Sequence, residues 1–242
     1  MRVLITGAEG QLGLKLHEIL RSTNFEILSL SRSELDITHT EQVDRLINTT
    51  KPDWVINTAA YTNVDGAESE PEKAHLVNAR GPENLASSSV RINAKFIQIS
   101  TDYVFDGKSK NPYEENEKKN PKSVYGASKS IGEDKVIAAM DSNYYIIRTS
   151  WLYSEYKSNF AKFMVSRAIN GLDTIEVVND QFGQPTYAGD LALQLLSVIQ
   201  NKPEFGIYHG TNSGRCSWHE YARELFTLAG EDPNRVKEIS SL

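Results

Sequence analysis

Short apolar runs alternate with segments of helical periodicity through the first 150 residues of the chain. The runs that predict buried strands lie at 2–6, 26–30, 54–57, 96–99 and 144–149. Between the first two runs, Leu12, Leu16 and Leu20 recur at the spacing that places apolar side chains on one face of a helix. Because strand and helix alternate, and such crossovers are right-handed, the pattern predicts an α/β fold with a doubly wound parallel (Rossmann) sheet.

Capping residues indicate where several helices begin. Thr38 with Glu41, and Ser217 with Glu220, have the spacing of a capping box at a helix N-terminus. Pro71 suits the first turn of a further helix, where its missing N–H costs nothing.

After residue 150 the alternation of strand and helix becomes less regular. The elements predicted there are helices at 160–169 and 189–199 and strands at 174–178 and 206–209. We expect an NAD(P)-binding Rossmann domain over residues 1–150 and a smaller C-terminal substrate-binding lobe over residues 151–242.

Composition and charge exclude several classes of protein. Lys and Arg total 26 against 32 Asp and Glu, a net charge of −6, and no basic stripe is present, which argues against nucleic acid or an acidic membrane surface as the main partner. The apolar run at residues 3–5 is too short for a signal peptide or a membrane span. The single cysteine, Cys216, fits a reducing cytoplasm, and the scattered histidines predict no metal site.

The turn after the first predicted strand contains three glycines in the pattern that binds dinucleotide phosphates. Gly7 permits a tight turn, Gly10 lets the backbone approach a pyrophosphate, and Gly13 allows the helix to pack on the strand. At the end of the second strand, Ser31 and Arg32 stand where an acidic residue would favour a free ribose 2′-hydroxyl. We therefore expect NADP(H), with NAD(H) as the second candidate and a solvated Arg32 as the alternative reading.

The candidate chemistry lies at 100–102 and 123–129. Ser123 predicts a helix start, which places Tyr125 and Lys129 four residues apart on one helical face. An ammonium ion beside the phenol would lower the pKa of Tyr125 towards neutral pH, where a general acid is most useful. This spacing also arises by chance in surface helices. Thr101 and Asp102 follow the fourth strand, at the sheet edge where ligands bind, although Asp102 could equally cap a turn.

Taken together, these motifs resemble the extended short-chain dehydrogenase/reductases, and within them the dTDP-4-dehydrorhamnose reductases. The segments that carry the resemblance are GAEGQLG at 7–13, LDIT at 35–38, NTAAYTNVD at 57–65, STDYVFDG at 100–107, YGASK at 125–129, RTSWLY at 148–153, NF at 159–160 and DQxGxPT at 180–186. They follow one another along nearly the whole chain, which makes the set specific.

The resemblance implies hydride transfer to C4 of a nucleotide-linked 4-keto-6-deoxy sugar. Tyr125 would donate the proton, Lys129 would hold the nicotinamide ribose, and Thr101 would orient the substrate carbonyl. The implied cofactor contacts are Gly7, Gly10, Gln11, Leu12, Gly13, Ser31, Arg32, Asp36, Ile37, Ala59, Ala60, Tyr61, Ser100, Tyr125 and Lys129. The implied substrate contacts are Val64, Thr101, Asp102, Trp151 and Asn159, although a core tryptophan is nearly as good a reading of Trp151.

Two departures and three alternatives accompany the resemblance. Family members usually continue for some tens of residues beyond the position of Leu242, so part of the substrate lobe is expected to be absent. Some relatives dimerise around a metal held by glutamates; Lys15 stands at that position here, so a homodimer, if formed, is not expected to need metal. The alternatives that share the fold are another nucleotide-sugar 4-ketoreductase or epimerase, a dehydratase and a non-catalytic NADP-binding regulatory subunit.

Overall fold

The structure is a computed structural model that describes residues 1–171 and 173–241. Its strands are β1 (Arg2–Thr6), β2 (Glu26–Leu30), β3 (Trp54–Asn57), β4 (Lys95–Thr101), β5 (Tyr144–Thr149), β6 (Leu152–Tyr153), β7 (Ile175–Val178), β8 (Phe182–Gly183), β9 (Thr186–Tyr187), β10 (Gly206–His209), β11 (Cys216–Ser217) and β12 (Val236–Ile239). Its α-helices are α1 (Gln11–Leu20), α2 (Thr40–Thr50), α3 (Val64–Ser69), α4 (Pro71–His75), α5 (Gly81–Arg91), α6 (Val124–Ala139), α7 (Phe160–Asn170), α8 (Ala188–Asn201) and α9 (Trp218–Leu228).

The central sheet, within the described residues, has six parallel strands in the order β10-β5-β4-β3-β1-β2. The chain moves outward from β1 to β2 and then returns to add β3 on the other side of β1. This reversal separates the loops that follow β1 and β3, and ligands of open α/β sheets bind at such a point. The predicted doubly wound parallel sheet is confirmed.

Two apolar layers hold the sheet between helices. Side chains alternate along a strand, so Val3 and Ile5 of β1 face α1 and α8, whereas Leu4 faces the opposite layer. All three side chains are fully buried, and the second layer is completed by residues such as Leu85 and Val136. Full burial on both faces explains why the strands are continuous apolar runs.

One expected capping box is confirmed and the other is wrong. Ser217 and Glu220 form both reciprocal hydrogen bonds at the start of α9. The second helix instead begins at Thr40, with His39 as its N-cap residue. Thr38 lies one residue before the N-cap position, and its hydroxyl donates to the Asp36 carboxylate at 2.8 Å.

The helix expected at Pro71 begins there, but it widens into a π-helical turn over Leu76–Arg80 before α5 continues. This turn places the Asn78 side chain against the loop after β3. The amide accepts from the Tyr61 N–H at 2.8 Å and donates to the Tyr61 carbonyl at 2.9 Å. The irregular turn therefore holds in place a loop that lines the candidate site.

The domain boundary expected at residue 150 stays a prediction, but two elements beyond it pack with the central sheet. Strand β10 pairs with β5 in the central sheet, and α8 packs against the same apolar layer as α1. The smaller apolar cluster lies between α7, α9 and the parallel pair β7–β12, around Met164, Phe226 and Val236. The chain thus leaves the sheet after β5, returns to complete it, and leaves again. In the part of the chain that the structure describes, no helix combines the length and apolar character needed to cross a membrane.

Candidate active site

A crevice of about 820 Å³ opens at the carboxyl ends of β1, β3, β4 and β5. The predicted site residues that line it are Gly7, Gly10, Gln11, Leu12, Arg32, Asp36, Ile37, Ala59, Ala60, Tyr61, Val64, Ser100, Thr101, Asp102, Tyr125, Lys129, Trp151 and Asn159. Only Gly13 and Ser31 of the predicted set do not line it. Residues from six separate segments of the chain are therefore brought to one cavity.

The glycine turn forms the floor of one end of the crevice. Gly7 has a φ of +67°, and a Cβ there would lie 2.6 Å from the Ala59 nitrogen. A Cβ on Gly13 would lie 2.5 Å from the Gly7 carbonyl oxygen, so Gly13 acts by packing rather than by facing the crevice. Helix α1 starts after Gly10 with no side-chain cap, and its first N–H groups can bind a phosphate. The turn thus fits the pyrophosphate of a dinucleotide.

At the end of β2, where the adenosine ribose of a dinucleotide would lie, the side chains of Arg32 and Ser31 differ in exposure and in hydrogen bonding. The Arg32 side chain is 73% exposed, lines the crevice, and its guanidinium lies 3.6 Å from the Asp36 carboxylate. Ser31 is buried, and its hydroxyl and N–H both donate to the Glu34 carboxylate, at 2.7 and 2.8 Å. The Arg32 guanidinium is therefore open to the crevice, whereas the Ser31 hydroxyl is engaged by Glu34, and the cofactor contacts expected from both residues stay predictions.

Helix α6 carries Tyr125 and Lys129 to the end of the crevice that lies away from the glycine turn. Its start is set by Ser123, whose hydroxyl accepts from the Gly126 N–H at 3.1 Å. The Lys129 ammonium is buried and donates to the Ile99 carbonyl of β4 at 2.6 Å. The Tyr125 ring meets the Tyr103 ring edge-on at a centroid distance of 5.6 Å. The two predicted groups thus share one wall of the crevice with the end of β4.

The expected lowering of the Tyr125 pKa is wrong. Burial raises the pKa of Tyr125 well above its ordinary value; a hydrogen bond with Thr101 opposes this rise, while the Asp102 charge adds to it. Burial lowers the pKa of Lys129 to about 8, against the opposing charge of Glu133. Both shifts arise because low-dielectric surroundings penalise the charged form of each group. Tyr125 consequently keeps its proton at neutral pH, as a proton donor must.

Thr101 has hydrogen-bond partners within the protein. Its hydroxyl donates to the Asp102 carboxylate at 3.0 Å and accepts from the Tyr103 N–H at 3.3 Å. Thr101, rather than Asp102, therefore caps the short turn that follows β4. Burial raises the pKa of Asp102 to about 6, so the carboxylate is ionised at neutral pH and attracts the Thr101 proton.

An aromatic wall forms the other side of the crevice. The Trp151 and Trp218 rings stack at a centroid distance of 3.5 Å and an angle of 12°, and Phe160 and Tyr221 join the cluster. All four residues also line the crevice, so Trp151 is packed on one side and still contributes to the site. Such a surface suits the apolar face of a deoxysugar or a nucleobase.

Asn159 joins the glycine turn to the second half of the chain. Its amide donates to the Gln11 side chain and to the Ser154 carbonyl, both at 2.8 Å, and its oxygen caps α7. The expected role beside a nucleotide diphosphate remains a prediction. The hydrogen bonds of Asn159 connect the two walls of the crevice.

Sequence analysis did not identify three features of the site. The Thr149 hydroxyl, at the end of β5, is buried against the crevice and, among the described residues, has no hydrogen-bond partner. Its position after a strand could have indicated it. The Tyr221 hydroxyl is similarly unpartnered, and no local pattern marks it. Glu133 and Arg148 form a buried ion pair at 2.8 Å behind Lys129.

Lys15, on α1, has a largely buried side chain that forms ion pairs with two half-exposed glutamates. Its ammonium lies 2.9 Å from Glu18 and 2.5 Å from Glu155. Within residues 1–171 and 173–241, no group of three or more His, Cys, Asp or Glu side chains is arranged to hold a metal ion. The positive charge between these two carboxylates is the Lys15 ammonium.

Comparison with known proteins identifies the family. The model of the RmlD substrate binding domain matches residues 1–242. The chain belongs to this family. A dTDP-4-dehydrorhamnose reductase from Streptomyces griseus is 41% identical over 245 residues, covering 100% of this chain and 80% of that protein. A dTDP-4-keto-6-deoxy-D-glucose reductase from Streptomyces niveus is 38% identical, covering 99% and 83%.

A solved structure of the RmlD family has the same fold as this chain. The dTDP-4-dehydrorhamnose reductase from Bacillus anthracis in complex with NADP is 41% identical, with a TM-score of 0.95, and the match covers 99% of this chain and 84% of that one. The expected membership of the extended reductases is confirmed, and the expected cofactor, NADP(H), is the one that this relative binds.

Proposed function

We propose that the chain is an NADP(H)-dependent reductase that converts dTDP-4-dehydrorhamnose to dTDP-rhamnose, a precursor of cell-surface polysaccharide. The observation that carries the proposal is the convergence of Thr101, Tyr125 and Lys129 on a crevice whose far end is the glycine turn. The RmlD-family relatives support the substrate class, and their reported match covers the whole site.

The bound nicotinamide would supply the hydride, and the protein would supply binding, orientation and the proton. As hydride reaches C4, negative charge develops on the carbonyl oxygen of the sugar. Donors aimed at that oxygen stabilise the transition state. Tyr125 is the principal donor, because it stays protonated at neutral pH. Thr101 orients the carbonyl from its position beside the Asp102 carboxylate.

The remaining residues divide between binding cofactor and sugar. Free N–H groups at the start of α1 would hold the pyrophosphate, Arg32 the 2′-phosphate, and Lys129 the nicotinamide ribose. The aromatic wall that includes Trp151 and Trp218 would exclude water and contact the deoxysugar. This division places the positive groups at the phosphate and ribose ends and the apolar surface at the sugar.

The test is NADPH consumption with purified protein and a panel of nucleotide-linked 4-keto-6-deoxy sugars, with product identity read by NMR. We expect oxidation of NADPH with dTDP-4-dehydrorhamnose and formation of the rhamnose epimer. Absence of oxidation with every member of the panel would overturn the proposal. A non-catalytic regulatory subunit predicts that result together with a stable complex with a larger catalytic partner.

A second candidate is the reduction of dTDP-4-keto-6-deoxy-D-glucose. The name of the Streptomyces niveus relative favours it, since that protein matches almost the whole chain. The two candidates differ in which keto sugar has the higher kcat/KM in the same panel. The homodimer and the cytoplasmic location expected from the sequence stay predictions, and sedimentation analysis tests the first.

A further inference from the structure

A carboxylate lies directly behind the catalytic lysine, and the proposed mechanism does not use it. Glu133 is one helical turn beyond Lys129 on α6, so the two side chains lie on the same face. Glu133 is 1% exposed, and Lys129 is 4% exposed. Burying a carboxylate is costly unless it is paired and hydrogen-bonded, so a residue of this kind needs a specific partner set.

That partner set joins Glu133 to both neighbouring strands. Its carboxylate accepts from the Ser100 hydroxyl of β4 at 2.5 Å and from two nitrogens of Arg148 of β5 at 2.8 and 3.0 Å. Ser100 and Arg148 are partners in the strand register. Arg148 also donates to the Glu115 carbonyl at 3.0 Å, which ties in the segment between β4 and α6.

Lys129 and Glu133 attach α6 to two consecutive residues of β4. The Lys129 ammonium donates to the Ile99 carbonyl, and Glu133 accepts from Ser100. The same end of β4 therefore binds both the Lys129 ammonium and the Glu133 carboxylate. A shift of Glu133 would move the helix face that carries Lys129.

We propose that Glu133 is the positioning residue for Lys129: through its hydrogen bonds with Ser100 and Arg148 it fixes the face of α6 that carries Lys129 against the end of β4. This proposal rests on the proposed function, which gives Lys129 the contact with the nicotinamide ribose. The NADPH titration needs no sugar, so it does not depend on the proposed substrate.

The charge balance around Lys129 makes Glu133 the decisive anion. Lys129 shares the crevice with the titratable side chains of Tyr125, Asp102 and Tyr103, and Arg148 on β5 is paired with Glu133. Lys119, in the preceding segment, lies 3.4 Å from Glu133 and 2.6 Å from the exposed Asp134. Burial disfavours the Lys129 ammonium, and the Glu133 charge opposes that effect. Without it, Arg148 would lack its counter-charge and Lys129 would lose its proton at lower pH.

The test is Glu133→Gln, with Asp134→Asn as the matched control. Both changes remove one negative charge from adjacent positions of α6, but Asp134 is exposed and its charge is screened. NADPH affinity is titrated by fluorescence from acid to alkaline pH, with no sugar present. We expect the alkaline loss of affinity to move to lower pH by about one unit in E133Q and to stay in place in D134N. The alkaline limb of kcat/KM should move with it.

Removing one member of a buried pair can prevent folding, so a second variant is included. The double change Glu133→Gln with Arg148→Met also removes the unpaired guanidinium that E133Q alone leaves in the core, and an acid-ward shift is expected again. Glu133→Asp should restore the wild-type profile in part. A folded E133Q or double variant with an unmoved alkaline limb, or with an equal loss of affinity at every pH, would overturn the proposal. Failure of turnover with normal NADPH titrations would instead count against the proposed substrate.

Discussion

The replacement of Tyr125 by Phe isolates the proton-donating step. The change removes only the hydroxyl, and the ring can keep its edge contact with Tyr103 at 5.6 Å. The backbone carbonyl of Tyr125 still accepts from the Ser128 hydroxyl at 2.7 Å, so the first turn of α6 is unaffected. We therefore expect folding and NADPH affinity close to those of the wild type.

The expected loss in kcat is large because no other group can easily replace the phenol. A positioned general acid contributes about 10²- to 10⁴-fold, which corresponds to about 3–5.5 kcal/mol in the activation free energy. Since the pKa of Tyr125 is raised, the wild-type phenol is fully protonated at neutral pH and its whole contribution is present. Thr101 already donates to Asp102, so it is a poor substitute, and we expect a loss in the upper half of that range.

The assay compares NADPH oxidation and NADPH binding for Y125F and for Tyr113→Phe. Tyr113 loses the same hydroxyl outside the crevice, where it donates to Asp106. Y113F should retain wild-type kcat. A Y125F enzyme whose kcat is within about threefold of the wild type would refute the assignment of Tyr125 as the acid. Loss of NADPH affinity equal to the loss of kcat would show that the hydroxyl acts in binding instead.

The other predictions concern pH, cofactor choice and stability. Turnover should fall above about pH 8 as Lys129 loses its proton, and a pH profile of kcat/KM that stays flat from 6 to 9 would contradict this assignment. Arg32→Asp should weaken NADPH much more than NADH, whereas equal losses of the two affinities would remove the 2′-phosphate role. Asp102→Asn should raise the unfolding free energy by about 1–3 kcal/mol above pH 6, because the raised pKa means that folding penalises the charged form. That gain should vanish near pH 4, and denaturant titration at both pH values checks it. Ser217→Ala should cost about 1 kcal/mol of unfolding free energy by loss of the capping box, with a change below the error of denaturant titration counting against it.

Local signals determined much of the fold and site from the sequence. The glycine turn, the Ser123 cap and the Tyr125–Lys129 spacing each involve residues within a few positions of one another. Backbone freedom, capping and helical periodicity act over that range, so these elements could be predicted without tertiary contacts. The apolar runs likewise predicted the strands, because both faces of a parallel sheet are buried.

Only the tertiary structure decided what depends on distant neighbours. Strand β10 joins the central sheet because β5 offers it an edge, although the paired residues are 61 positions apart, and the sequence pattern does not state which edge is free. The pKa of Tyr125 rises rather than falls because burial outweighs the lowering effect of the hydrogen bond with Thr101, and burial is set by the packing of α6 on β4. Glu133 finds Ser100 and Arg148 through that same packing. The spacing in the sequence placed Tyr125 and Lys129 on one helix, and their burial against the assembled sheet determined the protonation state of both.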